Sequence, residues 1–489
     1  MPGGTWSVTE LPVLPGLFLN FQAAALAAIQ TGARGTVILP VKAHWGPVGS
    51  FETITSENDL LNKYAAAEDK DGSTVYNTVR MTLLGGANKI LAYRLADTNA
   101  KPASLILKDT STTPADAVKL TAKYPGARGN AFRVTVQANI TDNTKQDLKL
   151  YEDATLLRTF TFPAGQIADA ITTINNDAAN VWIVAEKIDD SGTLAAVSSQ
   201  ALTGGNSGIA GITAADYTKA MNAFETQTFN IMSLDGITDP AIQTSVTSWT
   251  VRMRNQGKVM ITVMGGPAAD DVAADAVQKA IARTAGFNHE GIVNVGTGTV
   301  LDGVTYSSAQ VAPYVAGLIA GQKLSESTTY AASPFDDVTR RWTRTEMEDA
   351  VRNGVFIFFH DGRIVKPLRG INSLITLRQG QNNSFKKIRA IRVQDAINSD
   401  LQTAAEDNYI GKINNTEEGR LALIAACKQY MEVLTQGGVI EATGWDVYLN
   451  PAYYGASATI TPEPDQVFMN WTARLTDVIE QIFGTFLVQ

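Results

Sequence analysis

Between Ala214 and Gly321 the sequence alternates between helix-periodic and strand-like segments three times, and few packings satisfy a chain that does so. A helical pattern over 214–224 leads to the strand-like run 229–234, one over 240–254 to 258–264, and one over 270–284 to 291–295. An apolar helix rich in small residues follows over 308–321. Strands joined through single helices return to the same end of a sheet and pair in parallel, and a parallel sheet needs cover on both faces. The spacing predicts a doubly wound α/β core.

The flanking segments have other periods. Residues 23–100 read as a βαβ-like piece: a strand over 35–40, a turn at Trp45-Gly46-Pro47, a helix over 57–67 capped by Ser56, a helix over 75–84 and a strand over 89–95. From 101 to about 204 short alternating strands (132–136, 148–151, 159–162) surround one helix near 166–175. This predicts a β-rich domain inserted into the first unit and closed by Gly204-Gly205-Asn206-Ser207-Gly208. After 345 come a helix over 346–351 and a hairpin from 355–359 through Asp361-Gly362 into 363–365. Helices over 386–409 and 417–435, ended by Gly437-Gly438, and strands over 444–488 complete the chain. The expected division is 1–22, an N-terminal linking arm; 23–100, an α/β domain; 101–204, the β-rich insertion; 205–344, the central core; 345–479, an α+β domain; and 480–489, a linking strand.

Both ends read as strands outside a folded body. Leu17, Phe18, Leu19, Asn20 and Phe21 follow prolines and glycines that deny them a helix. Ile482, Phe483, Thr485, Phe486, Leu487 and Val488 run almost to the last residue, where most chains carry a polar tail. An uncovered apolar strand is an aggregation liability unless a sheet edge, in the same subunit or the next, pairs with it.

A length of 489 residues implies two to four domains, and the net charge of −8 opposes broad attraction to nucleic acid or anionic lipid. No run approaches the roughly 20 apolar residues of a membrane span, and no signal-like N-terminus is present, so cytoplasmic synthesis without membrane insertion is expected. Cys427, the one cysteine, sits in a helical pattern and reads as a small buried hydrophobe. Three histidines, His44, His289 and His360, leave little for an imidazole-rich metal site.

No motif brings chemistry with it. Gly296-Thr297-Gly298-Thr299 lacks a third glycine and leads into another turn instead of a helix N-terminus, against dinucleotide binding. Walker-type and Gly-x-Ser-x-Gly patterns are absent. The sharpest enzyme reading sets His289 and Glu290 beside Ser207 or Ser307, as an α/β hydrolase-like site would. Asp270-Asp271 and Asp336-Asp337 read as helix-terminal or loop charges. Lys386, Lys387, Arg389 and Arg392 form a basic stripe, either a solvated face or a docking surface for an acidic partner. The chain is expected to be no enzyme and to need no cofactor.

Several segments, in order, match one pattern: Leu14-Pro15-Gly16-Leu17-Phe18-Leu19-Asn20; Gly35 to Pro40 with Trp45-Gly46-Pro47-Val48; Thr121 to Asn130; Leu202 to Gly208; Ala316-Gly317-Leu318-Ile319-Ala320-Gly321; Asn353-Gly354; Arg392 to Ile397; and Tyr409 to Asn415. Together they resemble the tail sheath proteins of contractile phage tails and related phage-like particles. The chain departs from that pattern at Asp477-Val478-Ile479-Glu480-Gln481-Ile482, where a Glu-Lys-Ile-like run is expected. The resemblance implies a multidomain α/β fold whose doubly wound core has subtilisin-like topology without a protease site. It also implies a six-start helical homopolymer around a tail tube protein, bounded by baseplate and tail terminator proteins, that contracts to drive the tube through a target envelope. Such a subunit is assembled in the host bacterial cytoplasm and resides in the virion tail. Tube contact is expected at Lys386, Lys387, Arg389 and Arg392. A tube or baseplate component is the structural alternative.

Overall fold

Val37 to Val41 are all buried, and a strand buried on both faces belongs inside a sheet. The computed structural model describes residues 3–4, 17–18, 29, 34–189 and 192–487. The chain folds as two units, residues 34–322 with 327–391 in the larger, and 323–326 with 392–489 and the N-terminal segment in the smaller.

Strands β1 (Gly3–Gly4) and β2 (Leu17–Phe18) pair in parallel. The buried strand is β3 (Thr36–Val41), followed by β4 (Phe51–Ile54), α1 (Glu57–Tyr64), α2 (Val75–Gly85) and β5 (Lys89–Arg94). Next come β6 (Ser104–Lys108), β7 (Asp116–Ala122), β8 (Phe132–Ala138), β9 (Lys145–Glu152), β10 (Thr155–Pro163), α3 (Ile167–Asn176), β11 (Ile183–Lys187) and β12 (Val197–Ala201). The alternating region supplies α4 (Ala214–Phe224), β13 (Ile231–Ser233), α5 (Pro240–Asn255), β14 (Ile261–Gly265), α6 (Ala268–Val272), α7 (Ala276–Phe287) and β15 (Ile292–Val295). A hairpin of β16 (Thr299–Leu301) and β17 (Val304–Tyr306) precedes α8 (Ser308–Gly321) and β18 (Asp337–Val338). Then follow α9 (Arg344–Arg352), β19 (Val355–Phe356), β20 (Phe358–His360) and β21 (Val365–Pro367). The smaller unit holds most of α10 (Ile388–Asn408), with α11 (Glu417–Gln436), β22 (Asp446–Leu449) and β23 (Met469–Thr472).

Seven strands form the main sheet in the order β19-β15-β14-β13-β3-β5-β4, parallel throughout except for the edge strand β4. Strand periodicity sorts its side chains: Val37, Leu39, Ile261, Val263 and Val293 meet Val79 of α2 and Val315 of α8, whereas Ile38, Leu91, Met232 and Met264 meet Phe224 of α4 and Trp249 of α5. Both faces are covered, as a parallel sheet requires. Residues 36–94 and 231–356 therefore contribute to one sheet, across the chain segment that forms the insertion.

That insertion has a four-stranded sheet, β10-β9-β8-β12, and a three-stranded one, β11-β7-β6, each antiparallel and packed with α3 around one apolar cluster. Trp45 from the turn after β3 joins this cluster edge-on to Tyr124 and Phe132, with ring centroids 5.2 and 5.4 Å away. Arg94, fully buried, donates to the carbonyl oxygens of Gly46 (2.5 Å), Pro125 (2.8 Å) and Ser207 (3.3 Å). It thereby ties the end of β5 to the Gly46 turn, to the insertion at Pro125 and to the insertion's closing segment at Ser207.

Three expectations need correction. The helix expected over 270–284 is split into α6 and α7, because Asp271 turns inward to accept from Ser308 while Asp270 faces Lys279 and Arg283. The hairpin arm expected over 355–359 divides: β19 extends the parallel sheet, and only β20 pairs with β21. Strands expected throughout 444–488 reduce, among the described residues, to β22 and β23, since a strand persists only where its main-chain groups find a partner.

Candidate assembly site

Helices α10 and α11 and the β22–β23 hairpin enclose an apolar cluster with Cys427, Tyr430, Met431 and Val447 at its centre. Tyr430 donates to Asp400 at 2.6 Å inside it, and burial pushes the Cys427 thiol up to about 11, so this cysteine is inert packing. Beside the cluster lies a cavity of about 690 Å³ lined by, among others, Leu401, Tyr409, Leu423, Cys427, Met469 and Trp471. The hairpin pairs Val447 with Trp471 and Tyr448 with Asn470, and among the described residues this two-stranded sheet leaves each strand one unpaired edge.

Past this hairpin the tail is held by Glu441 N donating to Arg474 O (2.9 Å), Thr476 N donating to Val439 O (3.1 Å) and a bridge between Ile440 and Leu475. Beyond that, Ile482, Phe483, Phe486 and Leu487 are 87, 89, 89 and 82% exposed, and 482–487 form no strand. Thr485 is exposed as well; Val488 lies outside the described residues. At the other end Leu17 and Phe18 pair with Gly3 and Gly4, and Leu19, Asn20 and Phe21 lie outside the described residues.

The basic stripe divides. Its helix begins at Ile388, not at 386, and Asn383–Lys386 form a 3-10 turn. Lys386 and Lys387 are half-buried, whereas Arg389 and Arg392 are 6 and 9% exposed, with Arg392 donating to the Lys323 carbonyl at 3.3 Å. Sequence spacing alone does not reveal this, because the two arginines share a helical face with apolar neighbours such as Ile388 and Ile391, which are buried.

The enzyme constellation does not form. His289 is buried, its Nδ1 accepts from Gly291 N at 3.0 Å, its Nε2 lies 3.8 Å from Glu290, and burial lowers its pKa. Ser307 caps α8 by accepting from Gln310 N. Ser207 Oγ does meet a histidine, His44 Nδ1 at 2.8 Å, a pair the sequence did not suggest. That hydroxyl also accepts from Ala127 N, His44 Nε2 faces the Lys70 carbonyl, and Ser207 is 6% exposed. The pair fastens the root of the insertion. Asp337 pairs with Arg341 at 2.9 Å, but it lies in β18 opposite Val300 and not at a helix end or in a loop as expected. No three His, Cys, Asp or Glu converge among the described residues as a metal site would need.

Three family models match, described as the phage tail sheath protein beta-sandwich domain over residues 96–207, its central domain over 210–373 and its C-terminal domain over 380–489. The uncharacterized protein YqbK of Bacillus subtilis is 30% identical over 412 residues, 82% of this chain and 81% of that protein. The crystal structure of a sheath tail protein from Desulfitobacterium hafniense superposes with a TM-score of 0.71 at 26% identity, over 94% of this chain and 100% of that one. The helical sheath of the anti-feeding prophage in its contracted state shares the fold, with a TM-score of 0.55 at 11% identity, over 98% of this chain and 99% of that one.

Proposed function

The chain belongs to the phage tail sheath family, whose members are structural, and from that membership we propose that its copies assemble helically around a tail tube and contract to drive the tube through a target envelope. It is a sheath subunit. Its larger unit supplies a rigid body, and we read its core as subtilisin-like in topology with no catalytic role.

The exposed apolar tail carries this reading. Each of Ile482, Phe483, Phe486 and Leu487 loses about 1.5–3 kcal/mol by staying in water, a cost that burial against another copy removes. The open edges of β22 and β23 and the adjoining apolar cavity are receptors of matching chemistry, main-chain groups for the strand and apolar walls for its side chains. A strand donated from one copy to the next is a head-to-tail contact, which gives a ring where the rotation closes and an open helix where it does not. The N-terminal strand around Leu17 and Phe18 is the second link. Links of this kind hold neighbours together while bodies reorient, so the lattice shortens without dissociating, and small gains per subunit add over many copies. The tail tube lies inside this lattice, with baseplate and terminator proteins at its ends.

Negative-stain microscopy of the purified full-length chain tests this reading: hollow, cross-striated cylinders are expected. Single particles at all concentrations, or thin smooth tubes, would refute it.

A further inference from the structure

Two of the three histidines stand in one local setting, a His-acid-Gly turn: His289-Glu290-Gly291 and His360-Asp361-Gly362. In each, imidazole Nδ1 accepts from the glycine nitrogen two residues on, at 3.0 Å in the first and 2.9 Å in the second. The second turn has other support, since the Asp361 carboxylate accepts from Arg363 N and Ile364 N, both at 2.9 Å, and from the Lys366 amine at 2.6 Å. In the first, Glu290 gives no such support. Its Oε2 is buried without a hydrogen-bond partner among the described residues, and its Oε1 lies 3.8 Å from His289 Nε2, too far for a bond. Yet the first turn fastens more of the chain. Ser373 Oγ donates to His289 O at 3.0 Å, Ser373 N donates to Ile292 O at 2.8 Å, and Asn288 Oδ1 accepts from Ile375 N and Thr376 N at 3.0 and 3.1 Å.

We propose that the His289-Glu290-Gly291 turn is an acid-operated latch: a proton on Nδ1 displaces the Gly291 amide, draws the ring toward Glu290 and frees residues 373–376 from the start of β15. Because Nδ1 accepts, the neutral ring carries its proton on Nε2, and a second proton enters only at Nδ1. There it meets the Gly291 N–H as donor against donor. The cation it creates stands 3.8 Å from a carboxylate with an unused oxygen, so the closed turn loses a bond and the rearranged one gains an ion pair. Burial opposes the cation most, Glu290 favours it, and Arg254 of α5 and Arg378 oppose it, which together hold the His289 pKa below its usual value near 6.5. The opened turn therefore binds the proton more tightly than the closed one. The latch holds through neutral pH and opens as pH falls below about 6.5.

Hydrogen exchange of the full-length chain, read by mass spectrometry at about pH 5 and pH 7 and corrected for intrinsic exchange rates, tests the latch. Protection across 289–292 and 373–376 is expected to fall about tenfold at the lower pH, while the sister turn at 360–367 keeps its protection and serves as the internal reference. His289→Asn places a side-chain carbonyl that accepts the Gly291 amide and does not titrate, so its protection is expected to be equal at both pH values. Glu290→Gln removes the carboxylate that favours the cation and is expected to move the opening to lower pH. No loss of protection in the unsubstituted chain, a loss shared equally by 360–367, or the same loss in His289→Asn would each overturn the latch. Opening of Glu290→Gln at an unchanged pH would remove Glu290 from it.

Discussion

Asp271 accepts two hydrogen bonds from a single residue, Ser308: one from its main-chain nitrogen at 2.6 Å and one from its hydroxyl at 2.7 Å. The pair joins α6 to the first turn of α8 in the interior of the larger unit, and burial pushes the Asp271 carboxyl up to about 6 despite those bonds and Arg283 nearby. A carboxyl whose folded pKa exceeds its unfolded value near 4 binds its proton more tightly when folded. Its contribution is therefore complete below the unfolded pKa and is lost as pH rises through the folded one. Between about pH 4 and 6 the Asp271 contribution is expected to fall by up to about 3 kcal/mol. Asp271→Asn removes that slope; urea denaturation of both proteins at pH 4, 5, 6 and 7 measures it, and parallel curves would contradict it.

Gly317 faces the carbonyl of Thr82, and a Cβ at 317 would collide with it. Gly317→Ala is expected to destabilise the larger unit by about 1–3 kcal/mol by forcing α2 and α8 apart. A Cβ added at Gly286 in α7 would meet no other part of the structure within 4 Å, so Gly286→Ala is expected to stabilise by up to about 1 kcal/mol through helix propensity. Thermal melts of the two variants should shift in opposite directions.

Arg94 holds three main-chain carbonyls that no water reaches easily, since its own side chain is fully buried. Arg94→Leu leaves those acceptors unsatisfied at an expected cost of about 3 kcal/mol or more. The insertion roots near 97–103 and 203–208 should then open first. Limited proteolysis should release a fragment spanning β6 to β12 from the variant and not from the unsubstituted chain.

Phe483 and Phe486 are each 89% exposed in the single chain, so replacing both by serine should leave its melting temperature within about a degree. Assembly should be lost, because the pair supplies apolar area to the contact between copies. Sedimentation velocity reads both species; a variant that still assembles at wild-type concentrations would remove the C-terminal link from the proposal.

Local pattern carried much of the fold. Ser56 caps α1, Thr213 with Asp216 and Ser307 with Gln310 form capping boxes, and Asp239 precedes Pro240 at the start of α5, all readable because a helix end needs a donor or acceptor within three or four residues. Two-residue alternation likewise sorted Val37 and Leu39 from Ile38 to opposite sheet faces. The apolar character of the C-terminal run was legible, because hydrophobicity is a property of the residues themselves, but the strand expected there does not form within the single chain.

Tertiary structure decided whatever depends on residues far apart in the chain. That β3 lies between β5 and β13, and that β19 leaves its expected hairpin for the parallel sheet, follows from competition among distant strand edges, which local spacing does not rank. Burial of Arg389 and Arg392 has the same origin. A charge written in sequence has only a sign; whether it faces water, a carbonyl or a cavity is set by the segments packed around it.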